Sequence, residues 1–282
     1  MEREFIKMHG LGNDYIFFDC FKTRINNPAE LSIKLSDRRF SVGSDGIILV
    51  GASDKADCTM RIFNADGSEG EMCGNGIRCV GKFLYEYKNI RKNIVTVETK
   101  AGIKTLYLQV DDAGKVFSVT VEMGCAVFEC YKIPVFCEKD ELIETLVNVS
   151  NSEWKFSAVS MGNPHAVIFL DEVEELQLDK IGPSFEKMSF FPNKTNTEFV
   201  KILEKNKIRM RVWERGSGET SACGTGACAV CAVATKLGLA DFNTPITVVL
   251  DGGELYITVK NDYSVFMTGP CVESYKGILQ DS

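Results

Sequence analysis

Cys73-Gly74-Asn75-Gly76 and Cys223-Gly224-Thr225-Gly226 lie 150 positions apart in a chain of 282 residues. The same displacement superposes other blocks without a gap. Gly12-Asn13 falls on Gly162-Asn163, Met60-Arg61-Ile62-Phe63 on Met210-Arg211-Val212-Trp213, and Glu69 on Glu219. Separate blocks agreeing at one offset point to one fold copied in tandem, and a period of domain size excludes a solenoid.

The coarse pattern around these blocks is mostly strand. Residues 47–50, 59–63, 94–98, 104–110 and 116–122 read as strands in the first half. Residues 166–170, 198–203, 208–213, 246–250 and 255–259 do so in the second. Asn27-Pro28 starts a short helix, with Asn as cap and Pro in the first turn. Each half has one convincing long helix, and it begins at the repeated cysteine. In the first, Cys73, Ile77, Val80, Leu84 and Tyr87 recur at helical spacing, with Arg78, Lys82 and Lys88 elsewhere on the cylinder. In the second, residues 223–234 carry no charge and mostly small side chains, as in a helix buried all round. The fold class is therefore α+β, with two similar tandem domains. The first is expected over 1–124 and the second over 125–269. The break falls between Gly124 and Pro134, and a tail, 270–282, returns to the first domain.

Composition narrows the function. Acidic residues outnumber basic ones 39 to 32, for a formal charge of −7, which argues against nucleic-acid binding through bulk positive charge. Hydrophobic residues make up 45% and charged residues 25%, enough apolar material for real cores. No apolar run reaches membrane-span length, and the Met1-Glu2-Arg3-Glu4 start lacks a signal-peptide pattern, so a cytoplasmic location is expected. An odd count of 11 cysteines argues against a disulfide framework. Cys228-x-x-Cys231 raises a thiol-redox or zinc reading, but no second pair or His cluster completes four ligands, and the chain has only His9 and His165. Cys20, Cys58, Cys125, Cys130, Cys137 and Cys271 carry no motif. The acidic stretch 171–175 reads as a solvated face, and Trp154 and Trp213 as core.

A cysteine at a helix start sits where free backbone N–H groups and the helix dipole favour negative charge. Its thiol is expected to be acidified. The glycine turn lets the N–H groups reach a carboxylate. Two such cradles, facing each other across an interdomain cleft, would hold one carboxylate with a sulfur on either side of the neighbouring carbon. That is the requirement of a two-base racemase, in which one thiolate removes the α-proton and the other thiol returns one from the opposite face. No lysine motif beside a phosphate loop suggests pyridoxal phosphate.

The chain resembles the diaminopimelate epimerases essentially end to end. The matching stretches are residues 7–14 (KMHGLGND), 61–69 (RIFNADGSE), 73–76, 161–165 (MGNPH) and 214–226 (ERGSGETSACGTG). The resemblance implies an isomerase that needs no cofactor and no metal and interconverts LL- and meso-diaminopimelate, in lysine and peptidoglycan precursor synthesis. It implies curled, mostly antiparallel sheets, each around a central helix, with the active site in the interdomain cleft. Cys73 and Cys223 match the proton-transfer pair. Asn13, Asn64, Gly74, Asn75, Asn163, Asn196, Glu214, Arg215, Gly224 and Thr225 match substrate ligands. His165 and Glu214 match groups that tune the thiols, and Tyr275 a position at a homodimer interface. Neither a nucleic-acid nor a membrane partner is implied. One position departs: some members carry a Gln ligand where this chain has Gly46. A proline or hydroxyproline racemase of similar architecture is the nearest alternative. That group typically has His after its first Cys-Gly, where Asn75 stands here.

Overall fold

The computed structural model describes residues 2–280. The chain divides into two compact units. One comprises the residues up to Val121 together with those from Thr268 onward, and the other is Glu122–Met267.

The first unit contains β1 (Arg3–Gly10), β2 (Asn13–Cys20), α1 (Pro28–Ser36), β3 (Gly46–Gly51), β4 (Cys58–Asn64), the two-residue β5 (Glu69–Gly70), α2 (Gly74–Tyr87), β6 (Ile94–Thr99) and β7 (Gly102–Val110). The chain leaves it within β8 (Val116–Cys125). Most pairings are antiparallel; β2–β3 and β4–β6 are parallel. The second unit repeats the order with β9 (Thr145–Val149), β10 (Ser152–Ser160), β11 (Pro164–Phe169), α3 (Leu178–Glu186), β12 (Asn196–Glu204), β13 (Lys207–Glu214), β14 (Gly218–Glu219), α4 (Gly224–Lys236), β15 (Pro245–Leu250) and β16 (Gly253–Val259). Its parallel pairs, β11–β12 and β13–β15, stand at the corresponding places. The chain returns to the first unit within β17 (Ser264–Pro270), and β18 (Val272–Leu279) pairs antiparallel with β1, from Arg3↔Leu279 to His9↔Val272.

In the first unit α2 packs against β1 and β2 on one side and β7 on another. In the second, α4 packs against β10, β11, β12 and β16. Ala227 through Ala234 are completely buried, which suits a helix whose small side chains let strands approach on several sides. On α2, Arg78 is fully buried and Lys82 nearly so. Both heads meet hydrogen-bond acceptors, which offset much of the cost of burying a charge. Arg78 donates to the carbonyls of Gly74, one turn earlier, and Pro270. Lys82 donates to the Val116 carbonyl at 2.7 Å and pairs with Glu86 at 2.8 Å.

The sequence reading contains no helix at α3. The helix lacks a capping side chain at Gln177 and carries Pro183 inside it, so both usual signals fail. What holds it is burial: Leu178 and Phe185 join Phe156, Phe199 and Val173 in the second unit's core, with Trp154 against them. Gly182 packs so closely on the Trp213 ring that a Cβ there would fall 2.2 Å from it.

Candidate active site

Cys73 and Cys223 are the N-caps of α2 and α4, both in extended backbone conformation. Each sulfur accepts the N–H of the residue three positions on, Gly76 or Gly226, in both cases at 3.4 Å. An N-cap usually carries an oxygen; here the orphan donor is met by sulfur. The next residues, Gly74-Asn75 and Gly224-Thr225, form the first turn of each helix.

The surroundings of the two sulfurs differ. In the first unit the Cys73 thiol donates to Asn13 Oδ1 at 3.3 Å, and Asn75 Nδ2 donates to the same oxygen at 3.4 Å. Asn13 is oriented from behind, because its Nδ2 donates to Asp45 at 2.7 Å. Asp45 is held in turn by Arg38, which bridges it to Asp14, and Lys7 pairs with Asp14 at 2.7 Å. Burial raises the nearby Tyr15 phenol well above its ordinary range, and Cys73 raises it further while Asn13 opposes the rise.

In the second unit the Cys223 sulfur lies 3.6 Å from the Thr225 hydroxyl, and the Glu214 carboxyl is near enough to act on it electrostatically. Burial pushes the Cys223 thiol well above its ordinary range, and the Glu214 and Glu198 carboxylates push it further. This corrects the expectation that a helix N-terminus acidifies both thiols: at Cys223, desolvation and two carboxylates outweigh the dipole. Burial likewise raises Glu214, with Thr220 and Cys223 opposing the rise. His165 and Glu198 are fully buried, with Nδ1 2.6 Å from Glu198 Oε1, while His165 Nε2 faces Asn163 Oδ1 at 3.1 Å. Asn196 Oδ1 accepts the Arg215 backbone N–H at 2.8 Å, and the exposed Arg215 side chain reaches the Asn193 carbonyl.

Asn64 ends β4 opposite Gly46, and its Nδ2 donates to Ser68. Gly46 has φ +153°, and a Cβ built on it would lie 2.1 Å from the Phe63 carbonyl oxygen. The close passage of β4 excludes a Gln there. Tyr275 is 46% exposed on β18, its ring edge-on to Phe5. His9 accepts the Gly12 N–H, which fits a turn-packing role. Cys228 and Cys231 are fully buried in α4, and burial raises the Cys231 thiol well above its ordinary range. Among the described residues, no cysteine forms a disulfide. Glu172 and Glu174, in the stretch read as a solvated face, are exposed and pair with Lys201 and Arg209.

Sequence reasoning missed Tyr15, Asp45 and Glu198. For Tyr15 a signal existed: the offset of 150 places it on His165, two positions after the paired Asn13 and Asn163.

Fold and site together define a class: a duplicated α+β chain in which each copy caps its buried helix with a cysteine. Solved structures share this fold. A phenazine biosynthesis protein of the PhzF family from Bacillus anthracis superposes with a TM-score of 0.71 at 17% identity, over 100% of both chains. A hydroxyproline epimerase from Agrobacterium vitis does so with 0.69 at 15% identity, over 99% of this chain and 91% of that one. Closer likeness comes from sequence. Residues 5–129 and 157–273 match the model of the diaminopimelate epimerase family. Named diaminopimelate epimerases of Methanococcus maripaludis and Acetivibrio thermocellus are 49% and 48% identical, each over 97% of this chain and at least 97% of the relative. The chain belongs to the diaminopimelate epimerase family. No helix among the described residues is long and apolar enough to cross a membrane.

Proposed function

We propose that this protein is an isomerase that epimerises LL-2,6-diaminopimelate to the meso form by proton transfer between Cys73 and Cys223. The observation that carries the reading is the matched pair of cysteine-capped helices, each with its sulfur on the N–H of the third residue beyond. A two-thiol exchange needs one proton on the pair at a time. Cys223, buried beside the Glu214 and Glu198 carboxylates, is the better fit for the thiol of the pair, with Cys73 taking the thiolate role. The thiolate takes the α-proton, and the electron pair of the broken C–H bond spreads into the adjacent carboxylate. The helix N–H groups at Gly74-Asn75 and Gly224-Thr225 stabilise that charge. The Cys223 thiol then delivers its proton to the opposite face of the carbon, leaving the sulfurs with exchanged protonation. The chemistry requires the sulfurs to approach one carbon from opposite sides.

Asn13, Asn64, Asn163 and Asn196 suit a substrate bearing both ammonium and carboxylate groups, since an amide can donate and accept. Arg215 suits the distal carboxylate and Glu214 an ammonium group. His165 acts on this chemistry through Glu198 and Asn163. The protein pairs as a homodimer through the face bearing Tyr275, and works in the cytoplasm, where thiols stay reduced.

The test is incubation with LL-diaminopimelate in D₂O under reducing conditions without added cofactor. Deuterium at the α-carbon together with meso product is expected; a folded protein that yields neither would overturn the reading. Mild oxidation followed by peptide mapping should find a Cys73–Cys223 disulfide and a matching loss of activity. Sedimentation of the Tyr275→Ala variant as a monomer beside a dimeric parent would support the dimer assignment.

A further inference from the structure

The duplicated chain carries a buried imidazole–carboxyl pair in one copy only. At the offset of 150, Tyr15 answers to His165 and Ile48 to Glu198. Ile48 and Glu198 hold equivalent places beneath the two helix caps. A Cβ built on Gly76 would fall 2.5 Å from the Ile48 Cδ1 methyl, and one built on Gly226 would fall 2.8 Å from Glu198 Oε1. Where the first copy packs hydrocarbon, the second holds a carboxyl group. Glu198 and His165 are both fully buried, with Nδ1 2.6 Å from Oε1. The other carboxyl oxygen, Oε2, is buried and meets no hydrogen-bond partner among the described residues. A carboxyl group buried with one oxygen unmet costs stability, which points to a use beyond packing.

The partners fix where the protons lie. His165 Nε2 faces Asn163 Oδ1 at 3.1 Å, and an amide oxygen only accepts, so Nε2 carries a proton. A second proton lies between Nδ1 and Glu198 Oε1, which stand at hydrogen-bond distance. With its oxygen engaged by His165, the half-buried Asn163 has its NH2 left to donate. Its counterpart in the repeat is anchored the other way. Asn13 gives its Nδ2 to Asp45 at 2.7 Å and keeps its oxygen for Cys73 and Asn75.

We propose that Glu198 is a positioning residue, which holds the His165 ring with Nε2–H on Asn163 and thereby sets the Asn163 amide as a donor to a carboxylate oxygen of the substrate. This rests on the reading of Asn163 as a substrate ligand. Glu198 is fully buried and acts through His165, so it needs no contact with substrate. An amide anchored by its oxygen suits a carboxylate and not an ammonium group, which offers no acceptor. The paired asparagines therefore cannot stand in for one another, although the repeat makes them identical in sequence.

Two measurements test this. Nitrogen-15 NMR of the full-length protein near neutral pH reads the imidazole nitrogens without substrate. The chain has only His9 and His165, and a His9→Gln variant assigns the two rings. His165 Nε2 should carry a proton; a bare Nε2 would overturn the proposal. The second measurement uses Glu198→Gln, which keeps the shape and removes the charge. Gln can donate to Nδ1 or accept from it, so the ring and the Asn163 amide gain a second arrangement of opposite polarity. KM for LL-diaminopimelate should rise about tenfold, the weight of one hydrogen bond to a charged group. In an Asn163→Ala background the same substitution should leave KM where it is. Glu198 also faces Cys223, and a change in that thiol would appear in kcat, in both backgrounds alike. An unchanged KM in Glu198→Gln, or a rise of similar size in both backgrounds, would overturn the proposal. Should Glu198→Gln fail to fold, the Nε2 reading on the parent decides alone. A protein inactive toward diaminopimelate would defeat the proposed function and leave the NMR reading interpretable.

Discussion

The two helix caps are alike in backbone and opposite in electrostatics. Both sulfurs accept an N–H at 3.4 Å, and both begin a buried helix. Around Cys73 the partner is the Asn13 amide, whose oxygen accepts the thiol proton. Around Cys223 they are a threonine hydroxyl and two nearby carboxyl groups, Glu214 and Glu198. Carboxylates favour sulfur as S–H, and a neutral amide adds no such charge. Duplication thus supplies two equal cradles, and divergence of a few contacts gives each sulfur its own electrostatic surroundings. A reaction that shuttles one proton between two sulfurs needs that inequality at the start.

The strongest way to break this comparison is to remove either sulfur. Cys73→Ala and Cys223→Ala should each lower epimerisation at least a thousandfold, measured as meso product from the LL substrate. A variant retaining substantial turnover would show that the caps do not act as a pair. The second prediction removes charge from one cap only. In Glu214→Gln the Cys223 thiol loses a carboxylate that holds its pKa up. Its alkylation near neutral pH should quicken about tenfold, with the Cys73 profile unchanged. Slower or unchanged labelling of Cys223 would contradict the assigned polarity.

The third prediction compares backbone at matched positions. Gly46→Ala forces a Cβ against the Phe63 carbonyl and should cost about 2 kcal/mol or more, read by denaturant unfolding. At the paired position, Asn196→Ala loses its bond to the Arg215 N–H and should cost about 1 kcal/mol. The reverse order would mean that β4 can give way. The smallest effect is at Asp14, which has no carboxylate counterpart in the second unit, where Pro164 stands. Burial alone would raise Asp14, but Arg38 and Lys7 hold it below the usual carboxylate value of 3.8. A depressed folded-state pKa contributes stability above that value, lost as pH falls through the lower one. The parent's melting temperature should therefore fall more steeply than that of Asp14→Asn between about pH 5 and about pH 3. Parallel curves would mean that the Lys7–Asp14–Arg38 cluster adds nothing.

Much of this was legible in the sequence because the repeat is ungapped where the chemistry lies. The offset that pairs Cys73 with Cys223 also pairs α1 with α3, starting at Pro28 and Leu178. Carried through, it would have supplied the missing helix despite Pro183. It would equally have nominated Tyr15 from His165. Other features were not legible. The burial of Arg78 and Lys82 is one, because a helical wheel does not reveal which carbonyls will meet a buried head group. β1 and β2 passed unnoticed because both are buried nearly throughout and lack the alternation of a half-exposed strand. The acidity of Cys223 was misjudged because the dipole is local and visible in sequence, whereas Glu198 arrives from a distant strand.

The pairing of β18 with β1 has a consequence for biosynthesis. The second unit is one uninterrupted stretch, Glu122–Met267, set inside a first unit whose last strand is made from the far end of the chain. Emerging from a ribosome, the inner unit is complete while the outer one still presents the open hydrogen-bonding edge of β1. Translation thus finishes the two copies in the reverse of their order in the gene, and the first can close only after the second has been made.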